Sequence, residues 1–389
     1  LGSMAAAFAG GVSMTLGYAG LILGAVFAGF VYVIIAAAVK VAGVKWLDRL
    51  MPVVVIGPTV SIIGLSLAGN AVSDLVKGSV VNAEGAAVAS PLITVLCGLV
   101  ALLVTMLCAT YGKKMVRLIP FILGILAGYA VAAVFTLIGN ATATDALKVL
   151  DFSKLSVLWE NGVTLKTFVN YELVTKDFVF LKAAKGFAEL NWGYVSAIAV
   201  AYVPVAFVVF AEHIADHKNL SSIIGQDLTE DPGLHRTLLG DGVGSIAGAL
   251  FGGCPNTTYG ESVGCVAITG NASVVTIFAT AIMCMAISFF TPFVVFLASI
   301  PNCVMGGVCM TLYGFIAVSG LKMIQDVDLN DNANLFTVAV ILISGIGGLT
   351  VSFSIGGGHM VTLTEVACAL ILGMIVNAIV RPSLKKKSK

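Results

Sequence analysis

Long apolar runs are the feature that most constrains what this chain can fold into. About 20 apolar residues are needed to cross about 30 Å of hydrocarbon, and the chain has a series of runs near or above that length. They lie at 21–41, 52–75, 91–107, 118–138, 195–211, 274–297, 301–321, 335–351 and 362–380. Charged residues make up 11% of the chain, whereas a soluble domain carries about 25%. The sequence therefore predicts an all-α membrane protein with many spans.

Three shorter segments, rich in Gly, Ser or Thr, raise the predicted number of spans to twelve. They lie at 3–18, 238–251 and 257–268. Lysine and arginine then cluster after every even-numbered span, which places those loops and the C-terminus in the cytoplasm. The clustered residues are Lys40, Lys45, Arg49, Lys113, Lys114, Arg117, Lys218, Arg236, Lys322, Arg381, Lys385, Lys386, Lys387 and Lys389. The long loop at 139–191 carries both signs of charge and is expected on the outer side.

Composition excludes several functional classes. A net charge of +1 gives no basic field for nucleic acid. The eight cysteines occur singly, without a CxxC pair, so neither a disulfide framework nor a metal site is expected. The sequence offers no nucleophile–base pair for an enzyme, and it implies no cofactor. Lipid and a small solute remain as partners, and a homodimer stays open.

A weak internal repeat relates the two halves of the chain. Pro and Gly stand five residues apart in 52–57, at the entry to one span, and again in 301–306. The same offset places the short segments 3–18 and 257–268 in corresponding positions. In transporters built from repeats, two glycine-interrupted segments in corresponding halves point to a binding site at the membrane midplane.

Glu212 and Asp216 are the first candidates for such a site. An ionisable side chain within a span is costly unless it is paired or faces a cavity, and these two carboxylates share one helix face. So placed, they favour holding a shared proton. The alternative is that 195–211 already spans the bilayer and that both residues lie at its cytoplasmic end. His213 and His217 point to other faces of the helix and are expected at the membrane interface.

The run at 252–264, rich in Gly, Pro, Asn and Thr, is the second candidate. Such irregular backbone is tolerated at membrane depth only where it lines a cavity or is buried in protein. Glu261 would lie in the first turn of a half-helix, where unpaired N–H groups and the helix dipole favour polar and negative groups. The alternative is an extramembrane loop with an exposed Glu261. Asp241, before a glycine-rich stretch, is either a helix start or a partner behind the site.

Four motifs carry a resemblance to a known family. They are Phe-Ala-Glu-His-Ile at 210–214, Asp-Pro-Gly-Leu-His-Arg at 231–236, Pro-Asn-Thr-Thr-Tyr-Gly-Glu at 255–261, and Pro-Asn-Cys-Val-Met-Gly-Gly at 301–307 followed by Leu-Tyr-Gly. Essentially the whole chain resembles the nucleobase–cation symporters, also called nucleobase–ascorbate transporters, and most of all their uracil permeases. The resemblance implies fourteen segments in two inverted repeats of seven, with segments three and ten each pairing a short strand with a half-helix.

The resemblance also implies a core domain that holds the substrate and a gate domain beside it. The core would comprise 1–43 and 192–299, and the gate 44–191 and 300–389. The twelve visible spans match segments three to fourteen of the family. The family's first two segments have no counterpart in this sequence, so the core is expected to lack two helices.

A set of site residues follows from the same resemblance. The implied substrate-binding residues are Glu212, Glu261, Gly260, Tyr259, Ala5, Phe8 and Tyr313, and those implied in proton coupling are Glu261, Glu212, Asp216, His217 and Asp241. The two glutamates would accept hydrogen bonds from the ring N–H groups of a nucleobase. Backbone N–H groups around Ala5 and Gly260 would donate to its carbonyls.

Proton-coupled uptake of uracil across the cytoplasmic membrane is the function that the resemblance implies. Two departures bear on the substrate. Uracil permeases often carry His at position 216, whereas this chain carries Asp216, as many xanthine and urate permeases do. Ala5 stands where an aromatic ring is expected to stack on the base, so Phe8 is expected to supply that ring. A xanthine or urate permease is therefore one alternative. A channel is another, but it would require a continuous polar pore.

Overall fold

The computed structural model describes residues 7–8, 11–82, 84–160, 162–170, 178–355 and 359–387. Helices dominate it, as the apolar runs predict. In chain order they are α1 Met14–Ala42, α2 Lys45–Leu50, α3 Val53–Leu75, α4 Pro91–Tyr111, α5 Met115–Leu118, α6 Pro120–Ala141, α7 Ser153–Ser156, α8 Leu165–Phe168, α9 Val179–Ala183, α10 Trp192–Ile224, α11 Leu234–Leu250, α12 Gly260–Thr269, α13 Val274–Ile287, α14 Thr291–Ser299, α15 Asn302–Met323, α16 Asn332–Ile346 and α17 Glu365–Lys387.

Six helices in the described part of the chain are long and apolar enough to cross a membrane. They are α1, α3, α4, α6, α10 and α15. Shorter apolar helices are α13, α16 and the first part of α17, Glu365–Val380. A polytopic helical membrane protein is therefore confirmed, whereas the count of twelve spans and the inverted repeats stay predictions.

The predicted span at 274–297 does not run straight through. It divides into α13 and α14, and at the break Phe290 forms a β-bridge with Val169. Pro292 stands in the first turn of α14. Because proline lacks a backbone N–H, it suits the start of a new helix rather than the interior of an old one.

The end of the predicted span at 335–351 is also wrong. Helix α16 ends at Ile346, and Gly348, with φ of 70°, turns the chain into strand β1, Val351–Ile355. Strand β2, His359–Leu363, pairs with it antiparallel, with Val351 opposite Leu363. The sequence Val-Ser-Phe-Ser-Ile alternates apolar and polar residues, which is the period of a strand. The high hydropathy of residues 335–351 nevertheless predicts a single helical span there.

A short helix, α12, lies where the sequence predicts a half-helix, and its depth in the membrane stays a prediction. It follows residues 253–259, which in the described structure form neither helix nor strand. The matching segment near the N-terminus includes residues 1–6 and 9–10, which lie outside the described residues. The pairing of short strands with half-helices therefore stays a prediction.

The chain divides into two compact units. The first comprises Leu1–Ser66, Val174–Gly264 and Ile316–Lys389, and in it α1 packs mainly against α11 and α10. Close approach depends on glycine: a Cβ at Gly29 would lie 2.7 Å from the carbonyl oxygen of Gly242, and one at Gly24 would lie 2.5 Å from the ring of Tyr202. Backbone of α1 and α11 therefore meets without intervening side chains.

The second unit comprises Leu67–Leu173 and Cys265–Phe315. Helix α4 packs against α6, and small residues line the contact. A Cβ at Gly128 would lie 2.8 Å from the Cβ of Ala101 and 3.0 Å from a methyl group of Val304. The core around them includes Cys97, Ala132 and Cys303. The predicted core and gate domains, 1–43 with 192–299 and 44–191 with 300–389, stay predictions.

Candidate functional site

Helix α10 carries the first candidate residues and is longer than the sequence predicts. Its N-terminus is capped by Asn191, whose side-chain oxygen accepts the N–H of Tyr194 at 2.8 Å. Gly225, with φ of 69°, ends it in the left-handed conformation that favours glycine. About three further turns of helix follow Glu212, so Glu212 and Asp216 share one helix, as predicted. The membrane span at 195–211 stays a prediction.

A glycine-rich face of α11 contacts segment 253–259, which forms neither helix nor strand. The backbone N–H of Asn256 donates to the hydroxyl oxygen of Ser245 at 2.7 Å. A Cβ at Gly244 would lie 2.8 Å from Nδ2 of Asn256, and one at Gly253 would lie 3.0 Å from the carbonyl oxygen of Gly248. The glycines of 242–253 thus leave room for irregular backbone against the helix.

Two successive threonines of this segment bond to the two carboxylates of α10. The hydroxyl of Thr257 donates to Oε2 of Glu212 at 2.6 Å, and that of Thr258 donates to Oδ2 of Asp216 at 2.6 Å. Both distances are in the range of charge-assisted hydrogen bonds. A Cβ at Gly260 would lie 3.2 Å from Oδ1 of Asp216, so the start of α12 runs beside this carboxylate. The two candidate regions of the sequence therefore meet.

His213 is buried within the protein, and its predicted position at the membrane interface stays a prediction. Its side chain is 2% exposed, and its Nδ1 lies 2.7 Å from Oδ2 of Asp241. Its Nε2 lies 3.1 Å from the hydroxyl oxygen of Thr237, which itself donates to the carbonyl oxygen of Leu234 at 3.0 Å. Thr237 has only one proton to give, and it can go either to the carbonyl oxygen of Leu234 or to Nε2. In either case the 2.7 Å contact requires one proton between Nδ1 and the carboxylate of Asp241.

His217 lies one turn further along α10. Its ring stacks on that of His213 with the centroids 4.3 Å apart, and its Nδ1 donates to the backbone oxygen of His213 at 3.2 Å. The ring of Tyr32 meets that of His213 edge to face at 6.3 Å. The hydroxyl of Tyr32 is buried and has no hydrogen-bond partner among the described residues. The rings of Tyr32 and His217 therefore pack against the imidazole of His213.

The remaining predicted residues are more scattered. Tyr259 is 57% exposed. Phe8 packs against Gly17 and meets the ring of Tyr18 edge to face at 5.8 Å, so it lies in the apolar cluster at the start of α1. Tyr313 lies on α15 in the second unit and is half-buried. Ala5 lies outside the described residues, as does the side chain of Glu261, which follows Gly260 in the first turn of α12.

Sequence reasoning missed the hydroxyl groups that join these regions. Thr257, Thr258 and Thr237 carry no charge, so hydropathy gives them no weight. The sequence did contain one signal. Two adjacent threonines in a Gly- and Pro-rich run outside a helix have hydroxyl groups that can donate to side chains elsewhere in the fold. Among the described residues, no group of three or more His, Cys, Asp or Glu is arranged to hold a metal ion.

Comparisons with known proteins bear on the identity of the chain. The family model Xan_ur_permease, described as "Permease family", matches residues 1–353. A uracil permease of Bacillus caldolyticus is 35% identical over 361 residues, which is 92% of this chain and 74% of the relative. That of Bacillus subtilis is 34% identical over 378 residues, covering 97% and 79%. That of Escherichia coli K12 is 30% identical over 374 residues, covering 95% and 77%.

The match by the family model extends over most of the chain, and the relatives align over most of their own length as well. Permeases move solutes across membranes, and the apolar helices of this chain are those of a multi-pass membrane protein. The chain is a transporter rather than an enzyme, and it belongs to this permease family.

Proposed function

We propose that the chain takes up uracil, or a close nucleobase relative, across the cytoplasmic membrane together with protons. The observation that carries the proposal is the meeting of Glu212 with the Thr257–Gly260 segment at the start of α12. A carboxylate there stands beside the N-terminus of a half-helix, so hydrogen-bond acceptors and donors are available in one place. The names of the relatives support uracil as the substrate.

Uracil fits this arrangement chemically. Its ring presents N–H donors next to carbonyl acceptors. A carboxylate accepts up to about four hydrogen bonds, so Glu212 can accept from Thr257 and from a ring N–H together. The first N–H groups of α12, from Gly260 onward, would donate to a carbonyl of the base. By resemblance, Glu261 is the second carboxylate, Ala5 supplies a further backbone N–H, and Phe8, Tyr259 and Tyr313 supply rings.

Proton coupling follows if one of these groups must be neutral for the loaded carrier to reorient. Moving an uncompensated charge through the membrane costs about 2.3 kcal/mol per 100 mV. The candidates from the sequence are Glu261, Glu212, Asp216, His217 and Asp241. The proton that the geometry requires between His213 and Asp241 supports Asp241 among them.

A xanthine or urate permease is the second candidate function. Asp216 favours it, because purine permeases of the family often carry Asp at this position. In this chain Asp216 accepts from Thr258 and is 7% exposed. Asp216 is therefore less accessible to a substrate than Glu212, which is half-buried, and it supports a purine substrate only weakly.

Uptake measurements test the proposal. The whole protein is reconstituted in proteoliposomes with a proton gradient, and radiolabelled uracil uptake is measured with and without a proton ionophore. We expect saturable uptake that collapses with the gradient and that unlabelled uracil inhibits more strongly than xanthine or urate does. Uptake unaffected by the ionophore would contradict proton coupling. Stronger inhibition by a purine would favour the second candidate, and a flux that does not saturate would indicate a channel.

The orientation is a further part of the proposal. The lysine and arginine clusters support a cytoplasmic C-terminus. A reporter fused after Lys389 should be active only in its cytoplasmic form. Activity of a reporter that requires export would mean that the predicted span count is wrong by one.

A further inference from the structure

Thr257 and Thr258 make the same contact with two different carboxylates. Each hydroxyl donates to a carboxylate oxygen of α10 at 2.6 Å. The acceptors, Glu212 and Asp216, lie one helical turn apart, whereas the donors are adjacent in segment 253–259. Because the donors are neighbours in the chain, the position of either threonine constrains the other. Two hydrogen bonds therefore hold the residues before α12 against α10.

The two contacts differ in their surroundings. Asp216 is 7% exposed, and the donor that the described residues give it is Thr258. The closeness of Gly260 leaves little space for water on that side, since a Cβ there would lie 3.2 Å from Oδ1 of Asp216. Glu212 is half-buried, and the contact with Thr257 is on a more exposed side chain. A buried carboxylate depends more on its donor than a half-exposed one does.

We propose that Thr257 and Thr258 are positioning residues with separate tasks. Thr257 holds the carboxylate of Glu212 in the orientation that receives the substrate. Thr258 satisfies the buried carboxylate of Asp216 and so fixes the start of α12, while Asp216 itself does not bind the substrate. The first task rests on the proposed function, because it requires Glu212 to face a nucleobase. The second does not depend on any substrate.

The task of Thr257 is tested by removing and restoring its hydroxyl. Thr257→Val keeps the shape of the side chain, and Thr257→Ser restores the hydroxyl. Thr280→Val is the matched control, since Thr280 is exposed on α13 and, within the described part of the chain, donates to the carbonyl oxygen of Thr276 in its own helix. Because a hydrogen bond to a charged group is lost, Thr257→Val should bind uracil at least about tenfold more weakly. We expect the Michaelis constant to rise with little change in maximal rate, and Thr257→Ser to recover most of the affinity.

The contrary result for Thr257 is equally definite. Equal uracil affinity in Thr257→Val and the Thr280→Val control would overturn its positioning role. So would a loss in Thr257→Val that Thr257→Ser does not recover, because shape rather than the hydroxyl would then be responsible. Absence of uracil binding in the unaltered protein would instead refute the proposed function.

The task of Thr258 is tested without substrate by a double-mutant cycle. Melting temperatures are compared for the unaltered protein, Thr258→Val, Asp216→Asn and the double variant. We expect Thr258→Val to lower the melting temperature markedly in the presence of Asp216 and much less in the Asp216→Asn background, because an uncharged side chain needs its donor less. Additive shifts would overturn the proposal.

Failure of Thr258→Val to fold is itself informative. Recovery of folded protein in the Asp216→Asn/Thr258→Val variant would then support the pair, and no recovery would contradict it. A tenfold loss of affinity in folded Asp216→Asn would show that Asp216 binds the substrate and would refute the division of tasks.

Discussion

Both units bury hydroxyl groups, but they differ in the charged groups that they bury. Among the described residues, the buried carboxylate and imidazole, those of Asp216 and His213, lie in the first unit on α10. In the described part of the second, the buried polar side chains are Thr94, Thr105, Thr136 and Ser299. Each of these four hydroxyls donates to a backbone carbonyl three or four residues earlier in its own chain segment. We therefore propose that the buried charged groups of the first unit take part in the chemistry, whereas these four hydroxyls of the second unit serve packing.

The cost of burial explains why this difference matters. A hydroxyl that bonds to its own helix can be buried cheaply, whereas a buried carboxylate or imidazole needs partners from elsewhere in the fold. In the first unit those partners come from α11 and from the segment before α12. A protein that needed only to span a membrane would have no reason to assemble such a network.

The largest effect is expected at the His213–Asp241 pair. Asp241→Asn keeps the shape but removes the charge that lies 2.7 Å from Nδ1 of His213. A hydrogen bond to a charged group contributes about 1.5–3 kcal/mol, and the side chain of Asp241 is 25% exposed. We expect loss of most uptake and a lower melting temperature. The matched control is Asp326→Asn, at an exposed residue; equal behaviour of the two variants would remove the distinction between the units.

A smaller effect, on folding alone, is expected in the second unit. A Cβ at Gly98 would collide with Leu75 and with the carbonyl oxygen of Cys303, and overpacking costs about 1–3 kcal/mol. Gly98→Ala should lower the melting temperature while leaving uracil affinity unchanged in the protein that folds. Gly314→Ala is the control, because nothing lies within 4 Å of a Cβ there. Weaker binding in folded Gly98→Ala would mean that this unit also shapes the site.

The smallest effect is expected at Thr105. Its hydroxyl donates to the carbonyl oxygen of Ala101 at 2.8 Å, a group that already accepts within the helix. Thr105→Val should therefore change stability by less than about 1 kcal/mol, even though Thr105 is fully buried. A melting temperature within a few degrees of the unaltered protein would agree with this. A loss as large as that of Thr258→Val would contradict the comparison of the two units.

Hydropathy predicted the helices well and their interruptions poorly. The runs at 52–75 and 91–107 became α3 and α4 with small shifts at their ends. The hairpin at Val351–Ile355 and His359–Leu363 and the break before Pro292 were missed. A wide hydropathy window averages over a short turn, so it reports how apolar a segment is and not whether its hydrogen bonds run unbroken.

The candidate site was predictable in part. Charged residues within apolar runs are conspicuous, so Glu212, Asp216 and Asp241 could be selected from the sequence. Their partners could not, because Thr257, Thr258 and Thr237 are neutral and contact the charges only through tertiary packing. The burial of His213 was likewise hidden, since it depends on where α11 packs against α10.

Equilibrium binding of radiolabelled uracil to Glu212→Gln tests the central claim most directly. Gln keeps the shape of the side chain but replaces a carboxylate oxygen, the acceptor for a ring N–H, with an amide donor. Loss of a hydrogen bond to a charged group costs about 1.5–3 kcal/mol, so affinity should fall by roughly one to two decades. Glu84→Gln, at an exposed residue outside α10, should bind as the unaltered protein does. Near-native affinity in folded Glu212→Gln would contradict the site proposed for this permease.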